Sequence, residues 1–302
     1  MPRVVDVHSN GYPLRMTSPT LSDRKHSNLH RVLSIGILAG LLSTGAFAFN
    51  PADLLGRIKT VTQVVQGSGV APAPVGMPAA TGNFGACAHQ FYNANVPEVP
   101  GIAGLQARAL CFDGFAVLHS GKSKSPVYVA EVLTRERLQA ARNETRTDVF
   151  FADARVPARE RATLEDYRGS GYDRGHMAPA ADMADPQSMA QSFSLTNIVP
   201  QAAEHNRGAW AKIETDTRRY VSRASGPVYV ITAPVYAATQ VKTIGAGAVW
   251  VPTHLFKLVF DPAAGRAWAH WSENTDSARI GAPISYEELV RRTGVNWIPG
   301  FQ

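Results

Sequence analysis

The sequence predicts an α+β fold with a central, mostly antiparallel sheet flanked by helices. Runs rich in β-branched and aromatic residues lie on both sides of a helical block, without the regular strand–helix alternation typical of parallel sheets. The chain has 302 residues, of which 45% are hydrophobic and 18% are charged, which suits one globular domain with appended segments. The sequence contains no internal repeat and no specific glycine-rich nucleotide-binding motif.

The first strands are predicted over 110–120 and 126–133, where β-branched and aromatic residues recur. The polar stretch 121–125 between them predicts a hairpin loop. Its Lys122 and Lys124 could contact nucleic acid, but the favoured interpretation is that they only keep an exposed loop soluble.

The middle of the chain predicts short helices and an extended piece. Glycines within 169–171 predict a sharp turn, because glycine adopts backbone conformations closed to other residues. A charged segment over 172–176 follows directly. Residues 185–192 predict a short helix, 196–200 an extended piece, and 205–221 the longest helix, with apolar residues at helical spacing.

The last part of the chain returns to strands. They are predicted over 228–232, 249–260 and 265–270, and a short helix over 285–293 follows them. Strands therefore lie before and after the helical block, as an α+β arrangement requires.

The first 48 residues are expected to be an N-terminal extension with a signal peptide. Arg24, Lys25 and Arg31 precede an uncharged apolar run over 32–47, and a small residue follows at Ala48. A membrane anchor needs about twenty apolar residues, more than this run supplies. We therefore expect cleavage after Ala48, export to the periplasm or the medium, and no stable membrane association of the mature chain.

Net charge is weak evidence for a polyanionic partner. The formal charge is +6, but residues 1–48 contain five basic and two acidic side chains, which account for half of it. A cationic surface alone would favour phosphate binding without identifying a function. Motifs must therefore identify the chemistry.

Residues 49–86 are rich in alanine, glycine, proline and valine and are expected to form a linker, so the folded domain is predicted over 87–302. Cys87 and Cys111 are the only cysteines. An even pair in an exported chain favours a disulfide, which would contribute about 3 kcal/mol. Two buried free thiols are the alternative. No Cys/His cluster suggests a structural zinc site.

His176 is a candidate general base. Hydrolysis of a phosphodiester needs a base for water, a cation near the phosphate and stabilisation of the leaving oxygen. Glycine-rich sequence surrounds His176, and a neutral imidazole can accept a proton near pH 7. By itself, however, a single histidine is more often structural.

Asn206 and Glu214 are candidates for a metal site. On a helix, a spacing of eight residues places them roughly 80° apart in projection, so both can approach one site. An amide oxygen suits Mg²⁺, Mn²⁺ or Ca²⁺. The alternatives are an N-cap role for Asn206 and an exposed pair of Glu214 with Arg218. His205 is the less suitable ligand, since its side chain points about 100° away from Asn206.

Three stretches carry a resemblance to a known family. Residues 161–180 read RATLEDYRGSGYDRGHMAPA, residues 194–201 read SLTNIVPQ, and residues 251–257 read VPTHLFK. With Asn206 and Glu214 they resemble the DNA/RNA non-specific endonucleases, which include secreted bacterial nucleases and mitochondrial endonuclease G. The resemblance implies the ββα-metal (His-Me finger) nuclease fold and covers roughly residues 111–301.

The resemblance also implies roles for individual residues. It implies that His176 activates water, that Asn206 binds the metal directly, and that Glu214 holds a metal-bound water. Arg174 would lie beside the phosphate, and Asn197 would hydrogen-bond near the catalytic histidine. An arginine upstream of the signature would contact the phosphate or the transition state. Arg146 is the candidate for that position, although the spacing around this residue is variable.

The function implied is an exported, metal-dependent endonuclease that cuts DNA and RNA without marked sequence specificity. Mg²⁺ is the expected cofactor, with Mn²⁺ as the alternative ion. A homodimer and an inhibitor protein are further partners that the resemblance leaves open. The competing interpretations are a non-catalytic nucleic-acid-binding protein on a nuclease scaffold and a phosphodiesterase of small substrates.

Overall fold

A computed structural model describes residues 83–236 and 239–301 of the chain. The expected signal peptide over 1–48 and residues 49–82 of the linker expected over 49–86 lie outside the described residues. Phe84 is buried in the core, so the packed region includes at least this residue, three positions before the predicted domain start. Cys87 and Cys111 form a disulfide, as predicted, which fastens the N-terminal 3-10 segment Gly85–Gln90 to the first strand.

A seven-stranded sheet forms the centre of the fold, and every neighbouring pair in it is antiparallel. Its strands, in spatial order, are β1 (Ala107–Cys111), β2 (Ala116–Ser120), β3 (Ser125–Leu133), β6 (Val228–Val235), β9 (His254–Asp261), β10 (Arg266–Glu273) and β11 (Ile284–Ser285). Two smaller ribbons pair β4 (Tyr172–His176) with β5 (Ile198–Ala202) and β7 (Thr243–Ile244) with β8 (Val249–Trp250). This architecture confirms the predicted α+β fold.

The α-helices of the described chain are short, and most begin at a side-chain cap. Thr134, Asp185 and Ser285 each accept a backbone N–H bond at a helix start, which satisfies donors that the helix leaves unpaired. The helices are α1 (Arg135–Ala141), α2 (Leu164–Tyr167), α3 (Pro186–Ser192), α4 (Ala211–Val221) and α5 (Tyr286–Thr293), and a π-helical turn (His205–Trp210) runs directly into α4.

Alternate residues of the central strands pack into two different cores. Tyr128 and Phe256 face one core, which the C-terminal helix α5 covers through Leu289. Val129 and Leu255 face the other core, which contains residues of α3, α4 and the β4–β5 ribbon. Because side chains alternate between the faces of a sheet, neighbouring residues serve different halves of the molecule.

Two predicted strands are wrong in their extent. Residues 110–120 form the end of β1, a turn and β2, and the Phe112 amide donates to the Phe115 carbonyl across the turn. The turn contains Asp113 and Gly114, a dipeptide typical of tight turns, which the surrounding apolar residues obscure. The predicted strand over 249–260 is likewise broken into β8 and β9.

Candidate active site

The β4–β5 ribbon and the helix that follows it bring the predicted residues together. His176 is the last residue of β4 and lies opposite Ile198 of β5. A short connection leads from β5 to the π turn, which carries Asn206, and then to α4, which carries Glu214. Two strands and one helix therefore present the histidine and the candidate metal ligands to the same side.

A cleft of about 200 Å³ is lined by five of the six predicted site residues. They are Arg146, Arg174, His176, Asn206 and Glu214, and they share the cleft with Pro179, Ala180, Ala181 and Ala211. Asn197, the sixth, does not reach the cleft and is fully buried.

His176 is buried, with 8% of its surface exposed, between the rings of Phe150 and Phe193. Its ring centroid lies 5.4 Å from that of Phe150 and 5.0 Å from that of Phe193. Its Nε2 atom has no hydrogen-bond partner among the described residues. Burial lowers the pKa of His176 to about 3, and the charges of Arg146 and Arg174 act in the same direction while Asp148 opposes them. The ring is therefore neutral at physiological pH.

Asn197 fixes the backbone just beyond His176. Its Oδ1 atom accepts from the Ala178 amide at 2.9 Å, and its Nδ2 donates at 2.9 Å to the carbonyls of Ala178 and Ser192. These bonds join the segment after β4 to the end of α3. Asn197 is thus a positioning residue, and a buried amide with partners on both of its ends has one defined orientation.

Asn206 presents one end of its amide to Asp173 and the other to the cleft. Its Nδ2 donates to Asp173 Oδ2 at 3.0 Å, and the same carboxylate binds Arg207 Nε at 2.8 Å and Nη2 at 2.7 Å. The carboxylate fixes the amide orientation, because only the NH₂ end can donate to it. No hydrogen bond to Oδ1 forms within the described chain, so this oxygen is available to a cation. Asn206 lies inside the π turn, so the N-cap interpretation is wrong.

Glu214 is half-buried in α4 at the edge of the cleft. Burial raises the pKa of its carboxyl to about 7; Lys257 and Arg218 lower it, whereas Asp182 raises it further. Arg218 forms its ion pair with Asp182 at 3.1 Å. The alternative of a Glu214–Arg218 surface pair is therefore wrong.

Two exposed arginines flank His176 by lying against its aromatic neighbours. The guanidinium of Arg174 lies 4.2 Å from the ring centroid of Phe150. That of Arg146 lies 5.0 Å from the ring of Phe193 and pairs with Asp148 at 2.6 Å. Both cations can contact an anion that enters the cleft. The sequence left the place of Arg146 open, and the structure puts it in the lining of the cleft.

His205 and Gln201 form a support that sequence reasoning missed. His205 is buried; its Nδ1 lies 3.1 Å from Gln201 Nε2 and its Nε2 lies 2.9 Å from Ser272 Oγ. Gln201 packs directly on Gly175, where any added Cβ would overlap its side chain. The support therefore links the strand of His176 to the turn of Asn206, and the only signal for it in the sequence is the glycine between Arg174 and His176.

The oxygen donors fit a hard divalent cation. Asn206 offers a free amide oxygen and Glu214 a carboxylate, both ligand types that Mg²⁺ accepts, while water and phosphate would complete the coordination. Within residues 83–236 and 239–301, no group of three or more His, Cys, Asp or Glu side chains is arranged to hold a metal. In the same ranges, no helix has the length and apolar character needed to cross a bilayer.

Comparison with known proteins adds independent evidence. Residues 98–298 match the family model described as DNA/RNA non-specific endonuclease. The chain is 36% identical over 177 residues to Nuclease 1, mitochondrial, of Schizosaccharomyces pombe, covering 55% of each protein. It is 33% identical over 220 residues to human Endonuclease G, mitochondrial, covering 67% of this chain and 71% of the relative.

A solved structure is also similar. A chain of the crystal structure of the EndoG/EndoGI complex, which concerns the mechanism of EndoG inhibition, aligns with a TM-score of 0.58 and 26% identity. The alignment covers 64% of this chain and 86% of that one.

The expected periplasmic or secreted location is wrong on this comparison. Relatives from Schizosaccharomyces pombe, human, cattle and Saccharomyces cerevisiae are all named as mitochondrial nucleases. The physical reason for the error lies in residues 1–48, where basic and serine residues with few acidic ones are also typical of mitochondrial targeting segments. An apolar run after basic residues therefore does not distinguish a secretory signal from a mitochondrial targeting segment.

Proposed function

Because the chain belongs to the DNA/RNA non-specific endonuclease family, we propose that it is a metal-dependent endonuclease that hydrolyses DNA and RNA without marked sequence specificity. The observation that carries the proposal is the meeting, in one cleft, of a neutral imidazole, a free amide oxygen and two arginines. These groups match the base, the cation ligand and the phosphate contacts that the reaction needs.

His176 is proposed to take a proton from the water that attacks phosphorus. The place of His176 in the lining of the cleft supports this role, because a neutral imidazole can accept a proton. A pKa near 3 would make the ring a weak base in the free protein. Burial is the largest cause of this low pKa; a bound phosphate would offset the smaller effects of Arg146 and Arg174 and so raise the pKa of His176 in part.

Asn206 is proposed to hold Mg²⁺ through Oδ1, with Glu214 orienting a water on the ion. Mn²⁺ is the alternative ion, since it accepts the same oxygen donors. When bound, the ion stabilises negative charge on the phosphate and on the leaving oxygen. The protein's own contribution is the Asp173 anchor, which keeps the amide oxygen of Asn206 directed away from the carboxylate.

Arg174 and Arg146 are proposed to bind the phosphate from either side of the histidine. Contacts directed to phosphate carry no sequence information, whereas contacts to base edges do. Cleavage without marked sequence preference is therefore expected, on DNA and RNA alike.

Two kinds of protein partner remain proposals. The similarity to a chain of the EndoG/EndoGI complex supports a test for an inhibitor protein. A homodimer is proposed from the family resemblance, and analytical ultracentrifugation of the purified protein would test it.

The test of the function uses supercoiled plasmid and single-stranded RNA with the full-length protein. We expect both to be cut with Mg²⁺, and neither with EDTA. His176→Ala should lower the rate about 10²–10⁴-fold, the range that a general base contributes. The matched control is His89→Ala, since His89 is exposed and lies outside the cleft.

The same assay separates the competing functions. A non-catalytic binding protein would shift plasmid on a gel and leave it intact with every metal tried. A phosphodiesterase of small substrates would hydrolyse bis-p-nitrophenyl phosphate alone. Either result would contradict the proposed endonuclease.

A further inference from the structure

A second groove adjoins the candidate active site, between α1 and α4. Its volume is about 390 Å³. It shares Arg146, Ala180 and Ala181 with the catalytic cleft, so the two depressions meet along a common wall. The groove therefore begins where a strand bound at His176 would leave the cleft.

Positive charge dominates the lining of this groove. Arg142, Arg146, Arg218 and Arg219 line it, and Glu144 is the single acidic lining residue in the described chain. The floor between them is partly apolar, which suits the sugars of a strand as well as its phosphates. The groove thus offers cations along a path rather than at one point.

The arginines differ in how strongly they are engaged. Arg218 pairs with the buried Asp182, whereas the pair of Arg146 with Asp148 is exposed on both sides. Arg219 makes only an exposed contact with Asp216 at 3.2 Å, which an anion can replace at little cost. Arg142, at the C-terminal end of α1, is exposed; its backbone N–H donates to the Ala140 carbonyl, but its side chain forms no hydrogen bond or ion pair with another described residue. It is the cation most available to an incoming phosphate.

We propose that this groove binds the sugar-phosphate backbone of the substrate strand beyond the scissile phosphate, with Arg142 and Arg219 contacting a phosphate outside the catalytic cleft. The inference rests on the proposed nuclease function and extends it to a second phosphate site. Nucleic acid is the occupant that fits best, because its phosphates repeat at regular intervals and a strand held at His176 must continue into an adjoining channel. An acidic protein segment is the alternative that the test must separate.

The test compares substrates that do and do not reach the groove. A labelled single-stranded 20-mer would span cleft and groove, whereas bis-p-nitrophenyl phosphate fits the cleft alone. For Arg142→Ala we expect KM for the 20-mer to rise roughly three- to tenfold with little change in kcat. Turnover of the small diester should equal that of the unchanged protein.

Salt dependence gives a second readout. Binding of the 20-mer is measured by anisotropy in EDTA on the His176→Ala background. Loss of one phosphate contact should reduce the slope of log affinity against log salt by about 0.7 for a single strand. Arg142→Glu should weaken binding further than Arg142→Ala, since it adds repulsion. Arg135→Ala is the matched control, because Arg135 lies in the same helix but outside the groove and donates to the Ala224 carbonyl.

Each outcome decides something different. If the unchanged protein cuts no nucleic acid, the proposed function fails. If it cuts, but Arg142→Ala keeps the original KM and salt slope, the groove inference alone fails. An equal loss of activity of Arg142→Ala on the small diester would indicate a structural defect and would also overturn the groove inference. The groove inference would likewise fail if Arg142→Ala bound the 20-mer normally but no longer bound poly-glutamate.

Discussion

The two faces of the central sheet are built from the same strands and differ sharply in chemistry. The face under α5 is filled with aromatic and aliphatic side chains, among them Tyr128, Phe256 and Phe260. The opposite face, towards the β4–β5 ribbon, also buries Glu131 and Lys257. Burial of charged groups costs free energy unless they are well paired. The comparison teaches that one face is almost wholly apolar, whereas the other combines an apolar core with buried charged groups beside the candidate active site.

The largest expected effect is on the apolar face. Phe260→Ala should lower the free energy of unfolding by about 3–5 kcal/mol, because Phe260 is only 1% exposed and its removal leaves a cavity. Urea denaturation followed by fluorescence measures this change. The nuclease rate per folded molecule should stay the same. A loss of nuclease activity in the folded variant would contradict the division of roles between the two faces.

The disulfide belongs to the same apolar face and should come next. Replacing both Cys87 and Cys111 by serine should reduce stability by about 3 kcal/mol, because the unfolded chain regains the freedom of a 24-residue loop. The measurement is the denaturation midpoint of the variant against that of the unchanged, oxidised protein, both without a reducing agent. An equal midpoint would indicate that the bond adds nothing to the fold.

On the active-site face, a single substitution at Asp173 should change the Mg²⁺ requirement of the reaction rather than the stability of the fold. Asp173→Asn removes the carboxylate that fixes the Asn206 amide, so the Mg²⁺ concentration for half-maximal rate should rise about 10–100-fold. Glu288→Gln is the control, since its ion-pair partners in the described chain, Arg291 and Arg292, line neither the cleft nor the adjoining groove. An unchanged Mg²⁺ requirement with a lowered melting temperature would make Asp173 merely structural.

The smallest effect concerns the pH dependence of stability. Burial raises the pKa of Glu131 to about 8; nearby Asp182 adds to this and Arg137 opposes it. The folded protein therefore favours the protonated carboxyl, and the stability it contributes is present below about pH 4.5 and lost as pH rises towards 8. Glu131→Gln should thus differ little from the unchanged protein near pH 5 and exceed it in free energy of unfolding at pH 8, by a margin that grows as pH rises. Parallel stability curves across that range would contradict this assignment.

The sequence predicts the site residues better than their surroundings. His176, Asn206 and Glu214 were predicted as site residues from the chemistry of their side chains and from the family resemblance, and all three line one cleft. Gln201 and Asp173 escaped notice, since their partners are set by strand pairing and by contacts distant in sequence. Local patterns do not contain that information.

Polar residues of the central strands were hardest to interpret. Thr232 and Lys257 each lie between two apolar residues and Ser272 follows Trp271, and polar residues at such strand positions are typical of a sheet with one face in water. All three are buried, and Lys257 donates to Thr232 at 2.7 Å beneath the β4–β5 ribbon. A local pattern gives the alternation of a strand correctly but does not reveal that a second layer covers its polar face.

In the π turn at His205–Trp210, the number of residues, rather than their identity, sets the direction in which the side chains point. Such turns interrupt regular helices and often occur at functional sites. Deleting one residue after Asn206, such as Gly208, would leave every proposed catalytic side chain in the chain. It would also rotate Asn206 by about 100° relative to Glu214. A deletion that keeps every proposed site residue is therefore expected to abolish activity. In an alignment of relatives, a gap in this turn is as informative as a substitution.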